Sequence, residues 1–248
     1  MYAEFSQVYD KFMDNVDYDS WIEFIEKIWE KNGLKPKLVL DLACGTGNFT
    51  MPLSKKGYEM IGVDSSAEML SVARSKEEAD SGILFLCQDM REFELYGTVD
   101  AGICMVDGLN YLLEEDELLQ VFRLVKNYLN PGGIFIFDMN TIYKFKEVMG
   151  ENSYCDIDES SAIIWENYYD EADNENEYNV TIFIENEESG MYKRHEETHY
   201  QKGYEKENII ELINEAGLTI LNIYGGTGFE EYSGTCEKIF FVLKKDES

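Results

Sequence analysis

Apolar residues first recur at helical spacing at Ile22, Ile25, Ile28 and Trp29, which predicts a helix running to about Lys31. Ser20 and Glu23 read as a capping box at its start, and Gly33 and Pro36 stop it. The period then shortens. Leu38-Val39-Leu40 is a short apolar run that predicts a strand, and Asp41-Leu42-Ala43-Cys44-Gly45-Thr46-Gly47 is a glycine-rich turn into a helix ending at Gly57. The alternation repeats: strands at 60–63, 83–87, 101–106 and 134–137, with helix-length segments between them. Ser65 and Glu68 predict a cap for the helix after the second strand. Glu114-Glu115-Asp116-Glu117 places acids in the first turn of another, where the helix dipole favours them. Five near-continuously apolar strands separated by helices predict a doubly wound, mostly parallel sheet covered on both faces.

The pattern changes after about Gly150. Segments 161–170, 177–186 and 191–200 predict three antiparallel strands. The middle one alternates Tyr178, Val180, Ile182 and Ile184 against Asn179, Thr181 and Glu185. Turns fall at Asp173-Asn174 and Ser189-Gly190. A helix over 205–216, closed by Gly217, and strands at 218–224 and 238–243 complete the chain. The expected fold is therefore α/β: a Rossmann-like sheet built from residues 1–150 and 201–248, with a small antiparallel β insert, 151–200, before the last helix.

Composition narrows the function. Lys and Arg number 21 against 50 Asp and Glu, a net charge of −29. The longest basic runs are pairs such as Lys55-Lys56, so nucleic acid and anionic membrane are not expected partners. The insert alone carries 15 acids and 2 bases, net −13. Such charge serves solubility or attracts a cationic substrate, and composition does not separate the two. Five scattered cysteines with no C-x-x-C pair predict reduced thiols in a cytoplasmic setting. No basic region followed by an apolar run opens the sequence, and no stretch approaches the ~18 apolar residues of a membrane span.

The chemistry gathers at strand ends. Gly45 and Gly47 let the backbone turn sharply and approach a ligand, and the following helix points N–H groups at the same crevice. Asp41, Asp64 and Asp89 stand at the ends of the first three strands, all facing that crevice. Asp64 lies where an acid accepts hydrogen bonds from ribose hydroxyls. A dinucleotide is disfavoured: the third fingerprint glycine is Thr50, and Asp41 would repel a pyrophosphate but welcome an ammonium or sulfonium.

These segments resemble the class I S-adenosylmethionine-dependent methyltransferases. Val39 to Gly47 resembles the family's first motif, and Gly62 to Leu70 its second-strand segment. Leu86 to Met90 resembles the third, and Leu129 to Gly133 the turn before strand five, in order over about residues 36–140. The subgroup with an antiparallel insert is similar to the amino-sugar N,N-dimethyltransferases. The resemblance implies that Asp41, Gly45 and Gly47 hold the methionine moiety and Asp64 the ribose. It implies that Met69 packs near adenine, that Asp89 and the Met90 backbone read its edge, and that Tyr9 with Asp10 closes over the cofactor. Activity is then expected to be methyl transfer to a nitrogen or oxygen of a small molecule. A protein acceptor, or a non-catalytic S-adenosylmethionine-binding module, stays open.

Two residues are candidates for proton handling. Asp107, at the crevice end of the fourth strand, is either a general base or a turn acid. His199 either reaches the acceptor or packs. His195 and His199 on one strand would lie roughly 13 Å apart, too far to share a metal, and none is expected.

Overall fold

The computed structural model describes residues 10, 16–77, 81–186 and 189–247. Helix α1 spans Tyr18–Lys31, followed by β1 (Leu38–Leu42), α2 (Thr50–Lys55), β2 (Glu59–Asp64), α3 (Ala67–Lys76), β3 (Leu84–Cys87) and β4 (Val99–Cys104). A single 3₁₀ turn, Gly108–Tyr111, leads to α4 (Glu115–Tyr128) and β5 (Leu129–Asn140). A π-helical segment, Lys144–Met149, precedes β6 (Ser153–Ile157), β7 (Ser161–Asp170), β8 (Glu175–Asn186) and β9 (Met191–Lys202). Helix α5 (Lys206–Ala216), β10 (Thr219–Tyr224) and β11 (Lys238–Lys244) follow.

The main sheet has the order β10-β11-β5-β4-β1-β2-β3. Strands β1 to β5 pair in parallel, and β11 runs antiparallel between β5 and β10. Both faces are apolar because alternate residues of each strand serve different layers. Leu40, Leu42, Phe135, Phe137 and Phe241 pack with Val121, Phe122, Ile209 and Ile213 of α4 and α5. Val39, Ala101, Ile103, Ile136 and Phe240 pack with Ile22, Ile25 and Trp29 of α1. This is the doubly wound sheet that near-continuous apolar strands imply. The parallel topology brings the ends of β1, β2, β3, β4 and β5 to one edge. The antiparallel β11 brings its first residue there too, Lys238 opposite Asn140.

Three local details differ from the sequence expectation. Helix α1 begins three residues earlier than a Ser20 cap requires. Asp17 is the cap, its carboxylate accepting from Ser20 N at 3.1 Å, and the Ser20 hydroxyl donates back to Asp17 O. The cap of α3 is Ser66, not Ser65; its Oγ accepts from Met69 N at 3.1 Å and donates to Glu68. The insert has four strands, in the order β6-β7-β8-β9. Strand β6, Ser-Tyr-Cys-Asp-Ile, is exposed at every position, so no alternation marks it.

The inner face of the insert carries Ile163, Tyr178, Val180 and Ile182, which cluster with Met69 at the start of α3. The insert therefore lies over the crevice edge of the main sheet.

Candidate functional site

Two cavities meet at the crevice. One, of about 160 Å³, is lined by Val63, Asp64, Gln88, Asp89, Met90 and Tyr111. The other, of about 60 Å³, is lined by Tyr18, Asp41, Gly45, Thr46, Phe49 and Val106. Ala43, held at φ 58°, lines both.

The glycine turn is built as the sequence implies. Gly45 has φ 54° and Gly47 φ 82°, conformations that cost glycine little. Asp64 is half-buried at the end of β2. One of its oxygens accepts from Gly45 N and the other from Ser66 N, both at 2.8 Å. Each oxygen keeps a lone pair for a ligand hydroxyl. Burial pushes the Asp64 carboxyl above its ordinary range against those two bonds. Asp41 is 2 % exposed and accepts from Thr50 Oγ1 at 2.5 Å. Burial, with the Asp64 charge adding to it, raises Asp41 to about 7. A positive ligand atom in this cavity would favour the ionised form.

Asp89 and Met90 line the larger cavity beside Asp64. Arg91 hydrogen-bonds Asp89 and also pairs with Glu117, and it holds the Asp89 carboxyl below its usual range. Met69 lies elsewhere: it packs beneath the insert and is absent from the lining of either cavity. Gly47 shapes the turn without lining a cavity, its N–H donating to Cys44 O. Tyr9 lies outside the described residues. Its neighbour Asp10 reaches the glycine turn, accepting from Thr46 Oγ1 at 2.6 Å, Asn48 Nδ2 at 3.0 Å and Lys76 Nζ at 2.7 Å.

Asp107 sits at the crevice as expected, but as one member of a buried network. Its two oxygens accept from Lys238 Nζ at 2.8 Å and Gln201 Nε2 at 2.7 Å. Burial alone would raise its carboxyl, and the charges of Lys238 and Lys144 outweigh that and lower it. A carboxylate so engaged is a weak proton acceptor. Lys238 also donates to Asp138 at 2.7 Å. Asp138 accepts from the backbone N–H groups of Val106 at 2.5 Å and Asp107 at 3.2 Å. Those two residues have φ 61° and 53°. Left-handed backbone costs a non-glycine residue about 1–3 kcal/mol, and for a β-branched valine it is an outlier. Gly108 follows because a side chain there would meet Ala43 Cβ at 2.9 Å.

His199 is buried on the inner face of β9, stacked on Tyr178 with ring centroids 5.1 Å apart and 3.5 Å from Glu197. Tyr178 and Tyr111 hydroxyls are 2.5 Å apart, and Tyr111 lines the Asp64 cavity. Asn110 ties main sheet to insert: its Nδ2 donates to Asn140 O at 3.0 Å and Lys202 O at 2.8 Å. The sequence pointed to the segment from Asp107 to Tyr111, which holds Asn110 and Tyr111, but not to Asp138, Lys238, Gln201 or the role of Tyr178. A signal existed for Asp138 and Lys238, each a charge near the crevice end of an otherwise apolar strand.

Known proteins share this architecture. Residues 39–133 match the methyltransferase domain family. A methyltransferase-named protein of Geobacillus sp. (strain WCH70) is 36 % identical over 98 % of this chain and 99 % of its own. The crystal structure of an S-adenosylmethionine-dependent methyltransferase from Clostridium acetobutylicum ATCC 824 is 32 % identical. It superposes with a TM-score of 0.88, covering 99 % of each chain. The sugar N-methyltransferase KedS8 from Streptoalloteichus sp. ATCC 53650 shares the fold at 18 % identity, TM-score 0.80, over 97 % of this chain and 93 % of that one.

Proposed function

Because the chain belongs to the S-adenosylmethionine-dependent methyltransferases, we propose that its acceptor is a small molecule, methylated on nitrogen or oxygen beneath the β6–β9 insert. The observation that carries this reading is the pair of cavities that share Ala43, with the insert packed beside them on Met69 and, through the Tyr178 hydroxyl, on Tyr111. A sugar N-methyltransferase on the same fold supports it. The residues present fit the cofactor. Asp64 would hold the ribose hydroxyls, with Asp89 and Met90 beside the adenine. Gly45 and Asp41 would hold the methionine end, and Asp10 would brace Thr46 and Asn48 from outside.

When bound, S-adenosylmethionine supplies a methyl group already activated on a sulfonium. The chain's contribution is then orientation and exclusion of water. Val106 and Met105 line the cavity with Asp41 and Gly45 and would wall the methyl end of the bound cofactor. Asp107, next to Val106, ties Gln201 of the insert and Lys238 of β11 to that loop. His199 bears on the site through Tyr178 and Tyr111. A base is needed only for an acceptor that arrives protonated.

The test is transfer of labelled methyl to a cell extract fractionated by size. Label in small metabolites is the expected result. Label confined to macromolecules, or none in any fraction, overturns the proposal.

A further inference from the structure

The geometry points to Asp138 as the positioning residue for the methyl end of the cofactor cavity: it clamps the left-handed Val106–Asp107 backbone, with Lys238 as its counter-ion. The inference rests on the reading that the Asp41 and Gly45 cavity receives the methionine end of the cofactor.

Two consecutive left-handed residues turn their N–H groups to one side, which makes a small anion-binding concavity. Here the anion is a side chain. Asp138 Oδ1 accepts from Val106 N, and Oδ2 accepts from both Asp107 N and Lys238 Nζ. The carboxylate is wholly buried near the crevice end of β5, where an isolated charge would not be tolerated. Lys238 supplies the opposite charge from β11 and shares it with Asp107. Each oxygen is therefore used, and the use is directed at the backbone of a single loop. That loop is part of the site: Val106 and Met105 line the cavity with Asp41 and Gly45. Without the clamp, a valine favours negative φ. Its return would swing residues 105–107 relative to Asp41. An asparagine at 138 offers one oxygen to two N–H groups, and its amide N–H₂ opposes the other.

The experiment titrates Asp138→Asn calorimetrically with S-adenosylhomocysteine and with 5′-methylthioadenosine, which keeps the adenosine half but lacks the amino-acid end. Expected is a loss of about tenfold or more for the first and under about threefold for the second. Glycine adopts left-handed φ unaided. The cost of Asp138→Asn should therefore shrink to within about threefold when measured against Val106→Gly. Equal loss for both ligands, or an undiminished cost in the Val106→Gly background, overturns the clamp. Should Asp138→Asn alone not fold, the double variant decides. Folded and ligand-binding, it supports the clamp; unfolded, it refutes it. A wild type that binds S-adenosylhomocysteine no tighter than methylthioadenosine would instead refute the assignment of the methionine end.

Discussion

Asp64 and Asp41 are neighbours in the crevice with different tasks. Asp64 is already bound to two backbone N–H groups and needs only vicinal hydroxyls to complete its coordination. Hydrogen bonds to a charged group contribute about 1.5–3 kcal/mol each. Asp64→Ala should therefore weaken S-adenosylhomocysteine binding by at least about tenfold, measured by calorimetry. Retained affinity in a folded variant would remove Asp64 from the site. Asp41 instead makes a pH prediction. Its carboxyl is raised to about 7 in the folded chain, against ~3.9 in an unfolded one. Between those values the folded state holds the proton and the unfolded state does not, so this group's contribution to stability falls as pH rises from about 4 to 7. The decline is at most ~1.4 kcal/mol per pH unit, roughly 3–6 °C in melting temperature for a chain of this size. Ligand-free wild type should lose melting temperature between pH 5 and 7 faster than Asp41→Asn. Parallel curves would show that Asp41 ionises normally.

At the scale of elements, the decisive contacts join the β6–β9 insert, and the segment just after it, to the loop between β4 and α4. Gln201 meets Asp107, Lys202 O receives Asn110, Tyr178 meets Tyr111, and Tyr204 donates to Leu112 O at 2.6 Å. Tyr111 also lines the Asp64 cavity, so the hydroxyl pair links the insert to that cavity's wall. A double-mutant cycle on Tyr111→Phe and Tyr178→Phe, read by melting temperature, should show coupling of about 0.5–1.5 kcal/mol. Additive effects would mean that the pair does no work. None of these contacts was legible in the sequence, since their partners lie 67 to 94 residues apart. What was legible were features written locally. Asp41, Gly45, Gly47 and Asp64 stand where an apolar run ends, so strand period and turn chemistry place them without tertiary knowledge. Asp107 was placed on the correct edge for the same reason, but its role depends on Lys238, 131 residues away. The caps of α1 and α3 were misplaced by three and one residues, because several polar residues near each helix start can serve.

For the whole molecule the governing quantity is charge. At net −29, distributed repulsion opposes the compact state, and salt screens it with a Debye length of about 10 Å at 0.1 M. Raising sodium chloride from 20 to 300 mM should raise the melting temperature by several degrees, each kcal/mol contributing about 2–4 °C. A flat or falling response would show that local ion pairs outweigh the net repulsion. The same charge leaves few cations to release counterions, so a gel shift with transfer RNA at moderate salt should show no sub-micromolar complex. Among the described residues no helix is long and apolar enough to cross a membrane.

The position of β11 has a consequence for the order in which the chain acquires structure during synthesis. Strand β11 is the last in chain order, yet it lies in the interior of the sheet, between β5 and β10. While the ribosome is still adding residues before 238, β10 has no neighbour to pair with, and Asp107 and Asp138 have no Lys238 between them. Strands β1 to β9 can pair, but β10 cannot, and the crevice edge carries two acids without their cation. The nascent chain should therefore remain protease-sensitive until β11 has emerged from the exit tunnel. A chain stopped at residue 236 should stay open to proteolysis, while one carried through residue 247 closes. Equal protease resistance of the two would show that the sheet is complete without its last strand.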